Sequence, residues 1–239
     1  MNPLLSKVCA AMRLPSDLWL GAIQNLPGTL GHRLRCAFWR RRLKHLGEGV
    51  KIDAGVYFQN PALISIGDNC WIDRGVMISA GLDNSKRAKK RIRSKPMAPP
   101  GEVVVGRNVH IGPYSIISGI DAGVYIGDDC AFSSGVKVFA FSHHYRFEDR
   151  PEDSSCSFGP MVDHSRQSMI CGPVAFEANV GVALNAVILP GVFVGKNSFV
   201  GANSLLFAKQ FRENSVISGI PAKHRGCRFE EAGDAESQA

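Results

Sequence analysis

Hydrophobic positions recur every six residues along much of the chain. Residues 176–205 divide into FEANVG, VALNAV, ILPGVF, VGKNSF and VGANSL, opened in turn by Phe176, Val182, Ile188, Val194 and Val200. The fifth place usually holds a small or short side chain, at Val180, Ala186, Val192, Ser198 and Ser204. The same phase returns upstream in IGDNCWIDRGVM (66–77), VGRNVHIGPYSI (105–116) and IGDDCAFSSGVK (126–137). Six is not a helical period: no 3.6-residue stripe emerges, and Gly, Asn and Pro recur inside the blocks. The pattern predicts short extended segments joined by tight corners. Three blocks make one triangular coil of about 18 residues, and stacked coils bury a column of first-position side chains that no coil hides alone. The expected fold is therefore all-β. Cys70 and Cys130 fall in the fifth position, where a small inward side chain fits, and are expected as core fillers.

Three segments break the period. Residues 1–46 precede it and include HRLRCAFWRRRLKHLG, in which Arg33, Arg35, Arg40, Arg41, Arg42 and Lys44 alternate with Leu34, Phe38, Trp39 and Leu43. This stretch predicts a capping helix with a basic solvated face, with a contact to anionic lipid at a membrane surface as a second reading. The second break, GLDNSKRAKKRIRSKPMAPPGE (81–102), is too polar for a coil and predicts an exposed mobile loop crowded with Lys and Arg. A contact to a phosphate of a coenzyme or acceptor is its alternative. The third runs from about residue 142 to 171 and opens on His143 and His144. A loop this long in a compact domain is often functional.

The blocks resemble the hexapeptide-repeat acyltransferases. NAVILPGVFVGKNSFVGANSLL and NSVISGIPAKHRG are similar to the last coils of the maltose and galactoside O-acetyltransferase branch; NLPGTLGHRLR and NPALISIGDNCWID are similar to enzymes that acetylate surface polysaccharides. The resemblance spans about residues 25–226. It implies a left-handed parallel β-helix over 47–226, with a helical N-terminal cap over 1–46, excursion loops at 81–102 and 142–171, and a disordered tail over 227–239. It implies an acetyl-CoA-dependent O-acetyltransferase acting on a hydroxyl of a sugar or polysaccharide precursor, working as a homotrimer.

It also assigns roles. His143 closes a hexapeptide where the relatives carry a catalytic histidine, although SHHY stands where they often read Ser-His-Asp-His. A neutral imidazole suits the step, because a hydroxyl must lose its proton while attacking a thioester, and unperturbed histidine titrates near pH 6.5. On the acceptor side stand Asp121, His144 and Tyr145. On the coenzyme side Ala202 matches a contact to the pantetheine arm, and Lys209 and Lys223 match basic positions near the phosphates. Leu184 takes the place of a small residue near the thiol, with Gly181 and Ala183 replacing a usual Trp and Gly. These departures motivate alternatives: a catalytically weakened scaffold or binding protein, or an acyltransferase for an amino sugar or a small-molecule drug. Leu184 as a plain core residue is the competing reading of that position.

Composition narrows the setting. The net charge of +7 favours anionic partners, yet no nucleic-acid-binding motif accompanies it. Seven cysteines without a CxxC pair fit a reducing compartment and no structural zinc. His143, His144, Cys156, His164 and Cys171 match no familiar ligand spacing, so no metal is expected. Without a signal-peptide layout or an apolar run near the roughly 20 residues of a span, a cytoplasmic protein is expected, peripheral to the inner membrane face if the basic segment binds lipid.

Overall fold

The computed structural model describes residues 17–230. Helical residues 17–24 lead into helix α1, Gly28–Arg40. From His45 the chain winds as a left-handed parallel β-helix with three flat faces. The first face carries seven strands and the third six; the second has eight, the last of which, Ala222–Cys227, folds back antiparallel on Ser215–Gly219. That hairpin shields the open sheet edge.

The register explains the period of six. On the first face Leu46, Ile66, Val105, Ile126, Phe176, Val194 and Phe211 lie in line from coil to coil. On the second, Ile52, Ile72, Ile111, Phe132, Val182, Val200 and Ile217 do the same. Phe58, Ile78, Ile117, Val138, Ile188 and Leu206 complete the third. All are buried and form one column. Successive residues of a strand face opposite ways, so a two-residue strand such as Trp71–Ile72 points one residue into the prism, and a three-residue strand of the first face such as Ile64–Ile66 points in two.

Corners need left-handed backbone, which explains the recurrent Asn and Gly. Along the edge between the first and second faces, Asn69, Asn108, Asp129, Asn179, Asn197 and Asn214 all have positive φ. Their side chains stack, with Asn108 Nδ2 donating to Asp129 at 2.8 Å and Asn179 Nδ2 to Asn197 at 2.8 Å. The residue after each corner turns inward. There Cys70 and Cys130 are buried as fillers, and burial pushes each thiol up to about 11.

The N-terminal helices close one end of the column. Trp39 sits edge-on to Phe58 of the first coil, with ring centroids 4.9 Å apart. Arg35, expected on a solvated basic face, is instead 1% exposed. Its guanidinium donates to the carbonyls of Ile23 (3.0 Å), Leu26 (2.8 Å) and Ile52 (2.9 Å). The end of the preceding helical turn has carbonyls without intrahelical partners, and Arg35 satisfies them while tying that turn to the first coil. Arg35→Leu should cost about 3 kcal/mol, the upper end for leaving a buried polar group unpaired, read from denaturant midpoints. A loss below about 0.5 kcal/mol, the surface-substitution scale, would show that the clamp is idle.

Candidate functional site

Both long excursions and Asp121 emerge from one edge of the prism, between the third and first faces. The excursions meet in a three-stranded sheet beside the helix. Ser168–Cys171 pairs antiparallel with Phe141–His143 and parallel with Ala88–Arg91. The segment 81–102 is thus not a free mobile loop: its middle is a strand fixed to the second excursion. His143, Met169 and Lys89 stand at one register across this sheet.

Charge holds the sheet to the edge. Asp121, 6% exposed and in left-handed conformation (φ 64°), receives Lys89 at 3.1 Å and Arg91 at 3.7 Å. Lys89 also reaches the Asp83 carboxylate at 3.4 Å and its main-chain carbonyl. Burial alone would raise the Asp83 carboxyl, but hydrogen bonds from Ser85 and the charges of Lys89 and Arg87 outweigh it and hold it below the ordinary value. Lys90 pairs with Glu148 at 2.6 Å. Burial, then the adjoining Asp121 carboxylate, pushes the Cys171 thiol up to about 11.

The two histidines have separate surroundings. His143 ends its strand on the exposed surface, with its ring 6.3 Å from Phe158 and no hydrogen-bond partner among the described residues. His144 is buried. Its Nδ1 lies 2.6 Å from the Arg146 carbonyl and its ring leans on Tyr145 at 4.6 Å. A carbonyl only accepts, so Nδ1 is the donor in this contact. Two residues beyond the sequence reading shape the loop. Phe147 is fully buried under the Arg150 guanidinium (3.9 Å), and buried Gln167 donates to the carbonyls of Gly159 (3.1 Å) and Val162 (2.7 Å). Phe147 is signalled only as a lone aromatic in a charged run. Gln167 carries no sequence signal.

The residues expected at a coenzyme divide between places. Leu184 and Ala202 lie on the edge between the second and third faces, in adjacent coils joined by the Asn203 N–H to the Leu184 carbonyl (2.8 Å). Lys209 stands on the edge that carries His143, its ammonium 5.4 Å from the Phe211 ring centre, and Lys223 lies exposed in the terminal hairpin. One chain therefore does not gather His143 with Leu184 and Ala202. Leu184 is 52% exposed, which removes the core reading. It flanks a groove of about 300 Å³ with His110, Pro113, Ser133 and Ser134. Gly181 leaves room for the exposed Phe199 ring, which would lie 3.2 Å from a Cβ there. Among the described residues no group of three or more His, Cys, Asp or Glu is placed to hold a metal ion, and no helix is long and apolar enough to cross a membrane.

A family model, the hexapeptide repeat of succinyl-transferase, matches residues 102–140 and 173–208, leaving out the second excursion. WbbJ of Escherichia coli K12, a candidate lipopolysaccharide biosynthesis O-acetyltransferase, is 32% identical over 124 residues, or 52% of this chain and 59% of its own length. The chain thus spans little more than half of that relative. The dTDP-4-amino-4,6-dideoxy-D-glucose acyltransferase of E. coli is 27% identical over 180 residues, 75% of this chain and 80% of its own. Among solved structures, a variant of AntD, an N-acyltransferase from Bacillus cereus in complex with dTDP-4-amino-4,6-dideoxyglucose and coenzyme A, superposes with a TM-score of 0.66. It has 21% identity and covers 84% of this chain and 92% of AntD. At that identity the likeness carries the fold alone.

Proposed function

From a hexapeptide-repeat chain similar to sugar acyltransferases, we propose an acetyl-CoA-dependent O-acetyltransferase that acts on a hydroxyl of a sugar or polysaccharide precursor, with His143 as general base. The observation that carries the reading is His143 itself: an exposed imidazole whose nitrogens have no hydrogen-bond partner among the described residues, at the root of the longest excursion. The imidazole takes the hydroxyl proton as the oxygen attacks the thioester carbonyl. The tetrahedral oxyanion then collapses, the C–S bond breaks, and the imidazolium returns the proton to the leaving thiolate. The products are an ester and free coenzyme A. Asp121, His144 and Tyr145 belong to the acceptor side, and Leu184, Ala202, Lys209 and Lys223 to the coenzyme side.

The separation of His143 from Leu184 and Ala202 supports a closed homotrimer, in which the edge bearing His143 on one subunit meets the groove of the next. Such a cleft excludes water and aligns both substrates. If the pantetheine arm runs past residue 184, Leu184→Ala widens its channel, so acetyl-CoA binds more tightly or a bulkier acyl group is admitted. Melting temperature should hold, because the side chain is half exposed. Unimproved affinity for every acyl-CoA tested would move the coenzyme elsewhere.

A second reading, N-acylation of an amino sugar, is favoured by the wider coverage of the dTDP-amino-sugar enzyme. Against it, the buried Asp121 carboxylate is already met by Lys89 and Arg91. With its charge so matched, that carboxylate offers an ammonium acceptor no unpaired partner. Calorimetric titration with acetyl-CoA tests the enzyme reading against a scaffold. Saturable binding is expected, and no binding would leave only the scaffold.

A further inference from the structure

A cavity of about 500 Å³ lies far from His143, in the angle between helix α1 and the first two coils. Thr29, His32 and Arg33 line it from the helix, and Val50, Lys51 and Trp71 from the coils. Its volume falls in the range of small-molecule sites, roughly 300–1,000 Å³. Two of its cations lack a carboxylate. Among the described residues Arg33 has no hydrogen bond or ion pair, and Lys51 only overlies the Trp71 ring, 5.4 Å from its centre. Asp53, two residues along from Lys51, is engaged by His32 Nε2 at 2.6 Å and the Trp71 indole N–H at 3.3 Å.

The start of helix α1 opens on the same cavity. Pro27 at its cap position supplies no side-chain bond, and its first turn holds no acidic residue. The N–H groups of Gly28 and Thr29 therefore add a positive end to these two cations. The lining also includes the Val50 side chain, the Trp71 ring and Cys36, whose thiol is turned to the Val50 carbonyl at 3.2 Å.

We propose that this cavity binds the phosphate of a small organic phosphate ester, held by Arg33, Lys51 and the helix N-terminus, with the apolar body of the ligand against Val50, Cys36 and Trp71. The phosphate group is the recognised chemistry; a soluble nucleotide or a lipid phosphate can bring it.

The full chain is titrated calorimetrically with uridine diphosphate, with dioctanoyl phosphatidic acid below its micelle concentration, and with inorganic pyrophosphate. At least one organic phosphate should saturate the site, more tightly than pyrophosphate, which leaves the apolar wall unused. Binding by the nucleotide or by the lipid then identifies the source. The double variant Arg33→Ala, Lys51→Ala should weaken that binding at least tenfold, and Arg33→Lys should restore part of it. Both positions are exposed, so the variants should fold, as the melting temperature will show. Failure of every organic phosphate to saturate the wild type overturns the proposal, as does unchanged binding by the double variant. A parallel fall in acetyl-CoA affinity would overturn the separateness of the two sites. The titration remains readable even if acetyl-CoA does not bind at all.

Discussion

His143→Ala should lower turnover by roughly 10²–10⁴-fold, the range supplied by one positioned acid or base, while acetyl-CoA binding is unchanged. The expectation follows from where the side chain lies. The ring ends a strand on the protein surface and makes no hydrogen bond among the described residues, so its removal costs only the edge contact with Phe158 and should leave the melting temperature nearly unchanged. His144 provides the control. Its ring is buried and bonded to the Arg146 carbonyl, so His144→Ala should disturb the loop and change melting as well as rate. A His143→Ala protein that keeps more than about half of wild-type turnover, where one base would supply at least about a hundredfold, would remove His143 from the chemistry.

Mixed trimers give the second large effect. Leu184→Trp should close the groove of its own subunit, and His143→Ala removes the base from the other edge. Each variant alone should be nearly inactive. If one subunit supplies the base and the next the groove, random assembly of an equal mixture restores about a quarter of the sites, since each closed trimer repeats one interface three times. If both parts came from the same chain, no mixed trimer would recover activity. Refolding the two variants together and measuring turnover against each alone decides between these cases.

The coil architecture was legible in the sequence because each coil repeats the same demand. Phe176, Val182, Ile188, Val194 and Val200 mark inward positions, and Asn179, Asn185, Asn197 and Asn203 mark left-handed corners. His143 was legible as the place where that phase stops. The lateral sheet was not. The strand Ala88–Arg91 reads Ala-Lys-Lys-Arg, without alternation, and its partner Ser168–Cys171 lies about 80 residues away along the chain. Lys89 looked solvated, and only the fold brings Asp83 and Asp121 to it. Arg35 misled for a similar reason. Its sequence neighbours are basic, but the carbonyls it satisfies belong to the preceding turn and the first coil. Leu184 allowed two readings, at the coenzyme thiol or in the core, and its corner points it outward, which removes the second.

The bond that is made, ester or amide, tests O-acetylation most directly. Wild-type protein is incubated with acetyl-CoA labelled in the acetyl group and with paired acceptors, each sugar offered once with a free hydroxyl and once with an amino group at the same carbon. Label is expected on the hydroxyl acceptor, released by mild alkali as expected of an ester, and at least about a hundredfold less of it in the same time when His143→Ala replaces the wild type. Label only on the amino acceptor, in an alkali-stable amide, would contradict O-acetylation.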